Sequence, residues 1–341
     1  MSEPWTASMS GVPWNAEKMD NAVKQLRNRA TVSFVVGADG MEDVVDLDER
    51  VFSKRPDLIL KISNAEEKGH YTEDFLKTLA GLKHVKALQL DLKQKQDLNV
   101  LGALQRMEFL NIRAPKTLNL EFIRNYKDLQ YLALSGKFDD LSPIEDCIRL
   151  NALVLNCNIE TLNFVVELPF IEYLAIDSCA LNGPLDVLAD SNIRMLRLSS
   201  VRNLTDIDEL RALHYLAFLH LSLPKVERLC DFSSMQNLRQ LELDFMKSLQ
   251  EIDNLWTAEQ LEVLELKEIH TGIKAENFSG LLKMDSLKQI DFRFIDHGKG
   301  RIAAMRKHMI DAGKEYLLYE NIPEEQRIPS MAHVHLSKFL M

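Results

Sequence analysis

Long apolar runs and secretion signals are missing from this sequence. No uninterrupted apolar stretch reaches the roughly 18 residues that a membrane-spanning helix needs. The first residues, Met1 to Trp5, do not place a basic region before an apolar one, so no signal peptide is expected. These two absences predict a chain without a membrane partner and with a cytoplasmic location.

Positive charge is also in short supply. The 341 residues include 41 Lys and Arg against 51 Asp and Glu, which gives a formal net charge of -10 at pH 7. A nucleic-acid surface needs clustered basic side chains to meet the phosphates, and this balance argues against one. An acidic chain suits a basic protein partner, and it suits plain solubility equally well.

Cysteine is scarce and lacks a recognisable arrangement. The four cysteines are Cys147, Cys157, Cys179 and Cys230, and none belongs to a C-x-x-C pair. The sequence favours buried thiols in a reducing compartment over disulfides or a metal site.

Motifs of catalysis and cofactor binding are absent as well. The stretch from Gly298 to Arg301 lacks the Gly-x-x-x-x-Gly-Lys-Ser/Thr pattern of a phosphate loop. His333 and His335 would share one side of a strand, but no third metal ligand follows them. Neither Gly-x-Ser-x-Gly nor His-Glu-x-x-His occurs. The sequence therefore predicts no cofactor, no metal and no enzyme.

A repeat is what the sequence does contain. The stretch Leu150-Asn-Ala-Leu153-Val-Leu155-Asn-Cys-Asn158-Ile159 has the form L-x-x-L-x-L-x-x-N-x-I, and similar stretches recur every 21 to 26 residues. The second Leu of this pattern falls at Leu88, Leu110, Leu132, Leu153, Leu174, Leu196, Leu219, Leu241, Leu264 and Ile290. A degenerate eleventh copy precedes them at Asp57 to Ile62. Repetition in one phase indicates a stack of units that share one core.

The pattern predicts the secondary structure of each repeat as well as its length. In -x-L-x-L- the Leu side chains point inward and the x side chains outward, which predicts a half-buried strand. Residues 120–126 and 207–213 instead have helical spacing, so short helices or 3₁₀ turns are expected between strands.

These residues resemble the leucine-rich-repeat family over roughly residues 57–295, in particular its short class of phosphatase regulators and bacterial proteins. The resemblance implies an α/β solenoid, a horseshoe with a parallel β-sheet on its concave face, short helices or turns on its convex face, and a cap at each end.

The sequence departs from the family pattern at one position of the repeat. The family's Asn or Cys after the strand occurs at Asn158 and Cys179, but other units have Lys93, Lys137 or Val201 there. The Asn ladder of the family is therefore expected to be broken.

The ends of the chain are predicted to be caps. In residues 1–56 we expect a loop with Trp5 and Trp14 docked on the fold, a helix from Asn15 to Arg29, and strands at 31–36 and 41–51 whose acidic side chains form a solvated face. In residues 296–341 we expect a turn-rich hinge, a helix over 301–312 ended by Gly313, a short strand at 316–319 and a Pro-containing tail.

The outward strand positions are the candidate binding site. They fall into an aromatic and apolar stripe, an acidic patch and two residues between them. The stripe is Phe109, Tyr131, Tyr173, Met195 and Phe218; the acidic patch is Glu242, Asp244, Glu265 and Asp291; Arg197 and His220 lie between. Aromatic side chains on a rigid face are typical of interface anchors, and acidic ones steer a basic partner. An alternative is that the aromatics only pair with one another across strands.

The sequence thus predicts a non-catalytic protein-interaction scaffold that binds a protein through the concave face. Two versions stay open, a regulatory subunit that holds an enzyme and an immunity-type protein that blocks a toxin. The alternative function is ligand binding or catalysis in the terminal segments, with the repeats as a targeting arm.

Overall fold

The computed structural model describes residues 6–296 and 298–341. Residues 1–5 of the predicted N-terminal cap, with Trp5, and His297 of the predicted hinge lie outside the described residues. The chain divides into two compact units. Unit 1 comprises Met1–Asn158, Glu167–Ile171 and Leu336–Met341, and unit 2 comprises Ile159–Val166 and Glu172–His335.

Unit 1 is built on parallel strands that pair in chain order. They are β1 (Thr6–Ser10), β2 (Leu26–Val36), β3 (Ile59–Asn64), β4 (Ala87–Asp91), β5 (Phe109–Leu118), β6 (Tyr131–Phe138) and β7 (Ala152–Cys157). The register joins Leu60, Leu88, Leu110, Leu132 and Leu153 in one row. Each of these side chains is fully buried. The predicted phase of the repeats is therefore confirmed here, including the degenerate copy.

Unit 2 follows the same scheme. Its strands are β8 (Tyr173–Asp177), β9 (Met195–Ser199), β10 (Phe218–Ser222), β11 (Gln240–Asp244), β12 (Val263–Lys267) and β13 (Gln289–Phe294), again parallel and in chain order. Leu174, Leu196, Leu219, Leu241, Leu264 and Ile290 form its buried row. Because one strand alone cannot bury its leucines, the stacked rows supply the core of each unit.

Short helical segments return the chain from one strand to the next, as the spacing predicts. The described 3₁₀ segments between strands are Asn99–Ala103, Glu121–Asn125, Ser142–Asp146, Asp186–Asp190, Asp208–Ala212, Asp253–Thr257 and Ala275–Lys283. Two α-helices, α3 (Glu73–Ala80) and α4 (Asn163–Val166), have the same role. Pro143 lies in the first turn of its segment, where its missing N–H costs nothing.

The N-terminal segment differs from the prediction in two places. Thr6–Ser10 is not loop but strand β1, paired with β2. The interval predicted as a second strand is helix α2 (Met41–Leu47), continued by a π-helical turn, Asp48–Phe52. Its apolar residues Val44, Leu47 and Val51 are buried at helical spacing, and the Asp43 carboxylate accepts the Gly40 N–H at 2.9 Å at the helix start.

Two other N-terminal expectations are met. Helix α1 (Ala16–Gln25) begins where Asn15 accepts the Lys18 N–H at 2.9 Å, and it ends earlier than expected because Leu26 already starts β2. Trp14 is buried and donates its indole N–H to the Ser33 carbonyl at 3.1 Å.

Asp48 does not belong to a solvated face. It is 3% exposed, and its carboxylate accepts backbone N–H groups from Lys83, His84 and Val85 at 2.8, 2.9 and 3.0 Å. It therefore fixes the entry to β4 from the N-terminal segment.

Beyond the repeats, helix α5 (Lys299–Asp311) is followed by Gly313 at a positive φ of 67°, which suits glycine. The Arg301 side chain is 8% exposed and pairs with Asp296 at 2.8 Å, while its other N–H groups donate to the carbonyls of Ile269, His270, Ile273 and Ile295. The predicted hinge is thus a clamped junction.

The predicted strand at 316–319 is wrong. Leu317 and Leu318 donate to carbonyls three residues back, so the chain forms the 3₁₀ turns Glu315–Leu317 and Tyr319–Asn321, with one isolated bridge from Leu318 to Ile290. His333 and His335 likewise lie in helix α6 (Met331–Leu340), not in a strand. The boundaries after residues 56 and 295 stay a prediction.

Candidate binding face

In each unit the outward strand face consists of the side chains that alternate with the core leucines, on β4–β7 in unit 1 and on β8–β13 in unit 2. Strand register brings the predicted site residues together in rows within each unit. In unit 1, Phe109 is paired with Tyr131, and their rings stack with centroids 4.6 Å apart and planes 4° apart. In unit 2, Tyr173, Met195 and Phe218 occupy successive strands in one row. Such offset aromatic contacts favour a rigid surface.

The polar part of the site is also in register within unit 2. Arg197, His220, Glu242, Glu265 and Asp291 follow one another in the middle row of β9–β13. Asp244 lies in the third row beside Lys267.

The predicted acidic patch contains two ion pairs and a hydrogen bond to a histidine. The Glu242 carboxylate lies 2.9 Å from His220 Nδ1, Glu265 lies 2.5 Å from Lys267, and Asp291 lies 2.7 Å from Arg293. Its net field is therefore weaker than the sequence suggests.

Glu242 has the clearest electrostatic signature of the patch. Burial would raise the pKa of its carboxyl, but the hydrogen bond from His220, the charge of His220 and a hydrogen bond from Ser330 together hold that pKa below its usual value. Burial likewise raises the pKa of the nearby Tyr173 phenol. Both groups thus lie in a partly dehydrated setting.

The aromatic stripe of the candidate site is buried and not open to solvent. Phe109, Tyr131, Tyr173, Met195 and Phe218 are all between 1% and 6% exposed. The chain's own C-terminal residues account for part of this burial, since they lie against the outward strand face in both units.

In unit 2 two glutamine side chains hold this C-terminal stretch by its backbone. Gln289 donates to the Ile328 carbonyl at 3.1 Å and accepts the Ile328 N–H at 2.9 Å. Gln240 donates to the Pro329 carbonyl at 3.0 Å and accepts the Met331 N–H at 2.7 Å. The His335 ring then lies 6.1 Å from the Tyr173 ring, at an interplanar angle of 21°.

In unit 1 the contact is aromatic. The Phe339 ring lies 5.8 Å from the Tyr131 ring, tilted by 35°. Phe339 is 6% exposed.

A groove lies beside residues 328–330 in unit 2. It has a volume of about 410 Å³. Its walls include Glu242, Glu265 and Asp291 from the strands, and Tyr319 and Arg327 from the C-terminal part. The groove is thus open to a polar or cationic group.

Sequence reasoning missed Gln240, Gln289 and the C-terminal residues. Both glutamines stand in the row that elsewhere carries Ala, Val, Met or an aromatic residue, so their polarity was the available signal. In the described part of the chain, no helix has the length and apolarity to cross a bilayer. Over the same residues, no group of three or more His, Cys, Asp or Glu could hold a metal ion.

The one-strand units, the parallel pairing of strands in chain order within each unit and the rows of buried leucines define the fold as an α/β leucine-rich-repeat solenoid. No protein-family model and no curated protein matches the sequence.

Several solved structures are similar in fold. A leucine-rich-repeat protein of Leptospira interrogans is 17% identical, with 82% of this chain and 71% of that one covered and a TM-score of 0.49. An internalin of Listeria monocytogenes is 14% identical, with 68% and 80% covered and a TM-score of 0.37. In the mouse RP105/MD-1 complex the match is 15% identical, with 95% and 52% covered and a TM-score of 0.48.

Proposed function

We propose that the chain is a non-catalytic interaction scaffold that binds a protein partner through the outward strand face. The observation that carries this proposal is the pair of glutamine side chains that bind residues 328–331 by the main chain. A face that holds one polypeptide by its N–H and C=O groups has the chemistry needed to hold another.

The aromatic rows support the same role. Tyr and Phe supply large contact areas with few rotatable bonds, which is why such residues dominate the energetics of protein interfaces. Phe109 with Tyr131 in unit 1, and Tyr173 with Phe218 in unit 2, would be such anchors for a partner that takes the place of the C-terminal residues.

The finer roles fit the same face. A regulatory subunit would hold an enzyme there, and an immunity-type protein would cover a toxin there. Either partner would place cationic groups near Glu242, Asp244, Glu265 and Asp291, as a cytoplasmic binder of basic proteins requires.

The test is affinity purification of the tagged full chain from its native cells, with mass spectrometry of the proteins that co-elute. In the test variant Tyr131, Tyr173 and Phe218 are all changed to Ala, and we expect the partner to be lost. The control replaces two exposed aromatics outside the face, Tyr215 and Tyr316, by Ala. Circular dichroism and thermal melting establish that each variant is folded. A partner retained by the folded test variant contradicts the proposal.

A further inference from the structure

We infer that residues 328–340, here called the C-terminal segment, occupy the outward strand face as an internal ligand and that a partner polypeptide of the same form binds there in their place. That form is an extended stretch that continues into a helix free of acidic side chains. The inference rests on the proposed function and deepens it by naming the kind of partner and the contact that it replaces.

The first support is how the segment is held. Gln240 and Gln289 are 4% and 5% exposed, and each satisfies its amide by one donated and one accepted bond to the segment's main chain. Pro329, which has no N–H, offers only its carbonyl to Gln240. These four bonds depend on backbone shape and not on the segment's side chains. A different extended peptide can therefore make them.

The second support is the narrow side-chain contact of helix α6. Within it Ala332, His335 and Phe339 are buried, at spacings of three and four residues that form one stripe. Val334 and Leu340 on the same helix are 49% and 37% exposed. A helix whose buried side chains form one stripe can leave its site without opening the leucine core, which lies on the opposite face of the strands.

The third support is that the chain before the segment has its own anchorage. The Arg327 guanidinium lies 4.4 Å from the centre of the Tyr319 ring, and its Nε donates to the Ile322 carbonyl at 3.1 Å. Pro323, Glu324, Glu325 and Gln326 are exposed. Arg327 therefore marks the position after which the segment can detach while the preceding turns stay in place.

Charge indicates the chemistry of the partner. Residues 327–341 contain no Asp or Glu, although the whole chain has 51. The segment lies against carboxylates, since Ser330 hydrogen-bonds Glu242 and His335 Nδ1 lies 3.6 Å from Glu172. A competing peptide is therefore neutral or basic in its helical part.

The test uses the full chain and a fluorescein-labelled synthetic peptide of residues 326–341. In the variant Ser330→Glu a second carboxylate meets Glu242, which weakens the segment's hold in the chain. The control His333→Glu introduces an acidic side chain at an exposed position of helix α6. Hydrogen exchange of the amides of 331–340 reports release, and fluorescence anisotropy reports binding of the unmodified peptide.

We expect Ser330→Glu to speed exchange of these amides at least tenfold and to bind the peptide at least tenfold more tightly than the unchanged chain or His333→Glu. Adding Gln240→Ala and Gln289→Ala to Ser330→Glu should remove the gain. Faster exchange without peptide binding overturns the inference. The inference is also overturned if the amides of 331–340 exchange as slowly as those of the repeat strands in Ser330→Glu and in Ser330→Glu combined with Phe339→Ala.

The results that would contradict this inference differ from the results that would contradict the proposed function. If the segment is an integral part of the fold, the peptide results above fail, while a protein partner can still be recovered on the remaining face. If the proposed function is wrong, neither the unchanged chain nor Ser330→Glu recovers a partner that depends on Tyr131, Tyr173 and Phe218, whatever the peptide does.

Discussion

The amide of Gln289 forms a closed pair of hydrogen bonds with the backbone of Ile328, donating to its carbonyl at 3.1 Å and accepting its N–H at 2.9 Å. The two residues are 39 positions apart in the chain. This geometry reproduces the bonding of a β-bridge with a side chain in place of one strand. It joins the last strand of unit 2 to the start of the C-terminal segment.

Replacing Gln289 by Ala should therefore loosen the segment without unfolding the repeats. Two neutral hydrogen bonds contribute about 0.5–1.5 kcal/mol each, so the loss should be about 1–3 kcal/mol in docking free energy. Hydrogen exchange of residues 331–340 is the measurement. Gln250→Ala, at an exposed position, is the control. Unchanged exchange in the Gln289 variant would show that these two bonds contribute little.

Asp48 gives a second prediction, about the N-terminal segment. Asp48→Ala leaves three backbone N–H groups, at Lys83, His84 and Val85, without their acceptor. Unpaired buried donors are costly, and we expect a loss of about 3–5 kcal/mol in the free energy of unfolding. Urea unfolding measures it, with Asp46→Ala at an exposed position as the control. Equal stability of the two variants would contradict the assigned role.

The sequence predicts the repeats well because their signal is local and periodic. Every predicted strand position from Leu88 to Ile290 lies in a strand, and the rows match the predicted phase in each unit. A one-residue slip would exchange the core and outward faces, so the leucine pattern fixes the register strongly.

The errors have a different origin. The stretch 41–51 alternates apolar and acidic residues like a strand, yet Val44, Leu47 and Val51 also fit a helical stripe, and packing favours the helix. The covering of the outward strand face could not be predicted, because Gln240 and Pro329 are 89 residues apart and no periodic pattern joins them. The predicted site residues lie in the predicted rows, but their burial was missed, and their role as a binding site stays a prediction.

Leu153 tests the core directly. Its side chain is fully buried in unit 1 and is paired with Leu132 in the strand register, so Leu153→Ala should lower the free energy of unfolding by about 2–5 kcal/mol. Val154→Ala, at the neighbouring half-buried outward position, is the control and should cost less. Urea melts in which Leu153→Ala loses no more than Val154→Ala would mean that the two faces are wrongly assigned.

The cysteines should be unreactive in the folded protein. All four are buried thiols, and burial raises the pKa of Cys147 and Cys230 to about 12 and that of Cys179 to about 11. At pH 8 a thiol with a pKa of about 11 is ionised to only about one part in a thousand. Labelling with a thiol reagent before and after addition of urea checks this. We expect four thiols to react only in urea, and rapid labelling of the folded chain would contradict their burial.

Glu242 should make the stability of unit 2 depend on pH. Its pKa is held below the ordinary value of 4.5, despite burial, by His220 and Ser330, so the unfolded chain binds this proton more readily than the folded one. Its contribution to the free energy of unfolding is therefore fully present above the unfolded pKa and is lost as the pH falls through the lower folded value.

Glu242→Gln replaces a charge-assisted hydrogen bond by a neutral one and should cost about 1 kcal/mol at pH 7. The difference in the free energy of unfolding between the unchanged chain and Glu242→Gln, here called the gap, should close as the pH is lowered below 4.5. Urea melts between pH 7 and pH 3 measure the gap, with the exposed Glu259→Gln as the control. A gap that widens on acidification would mean that the folded state does not favour the ionised carboxyl.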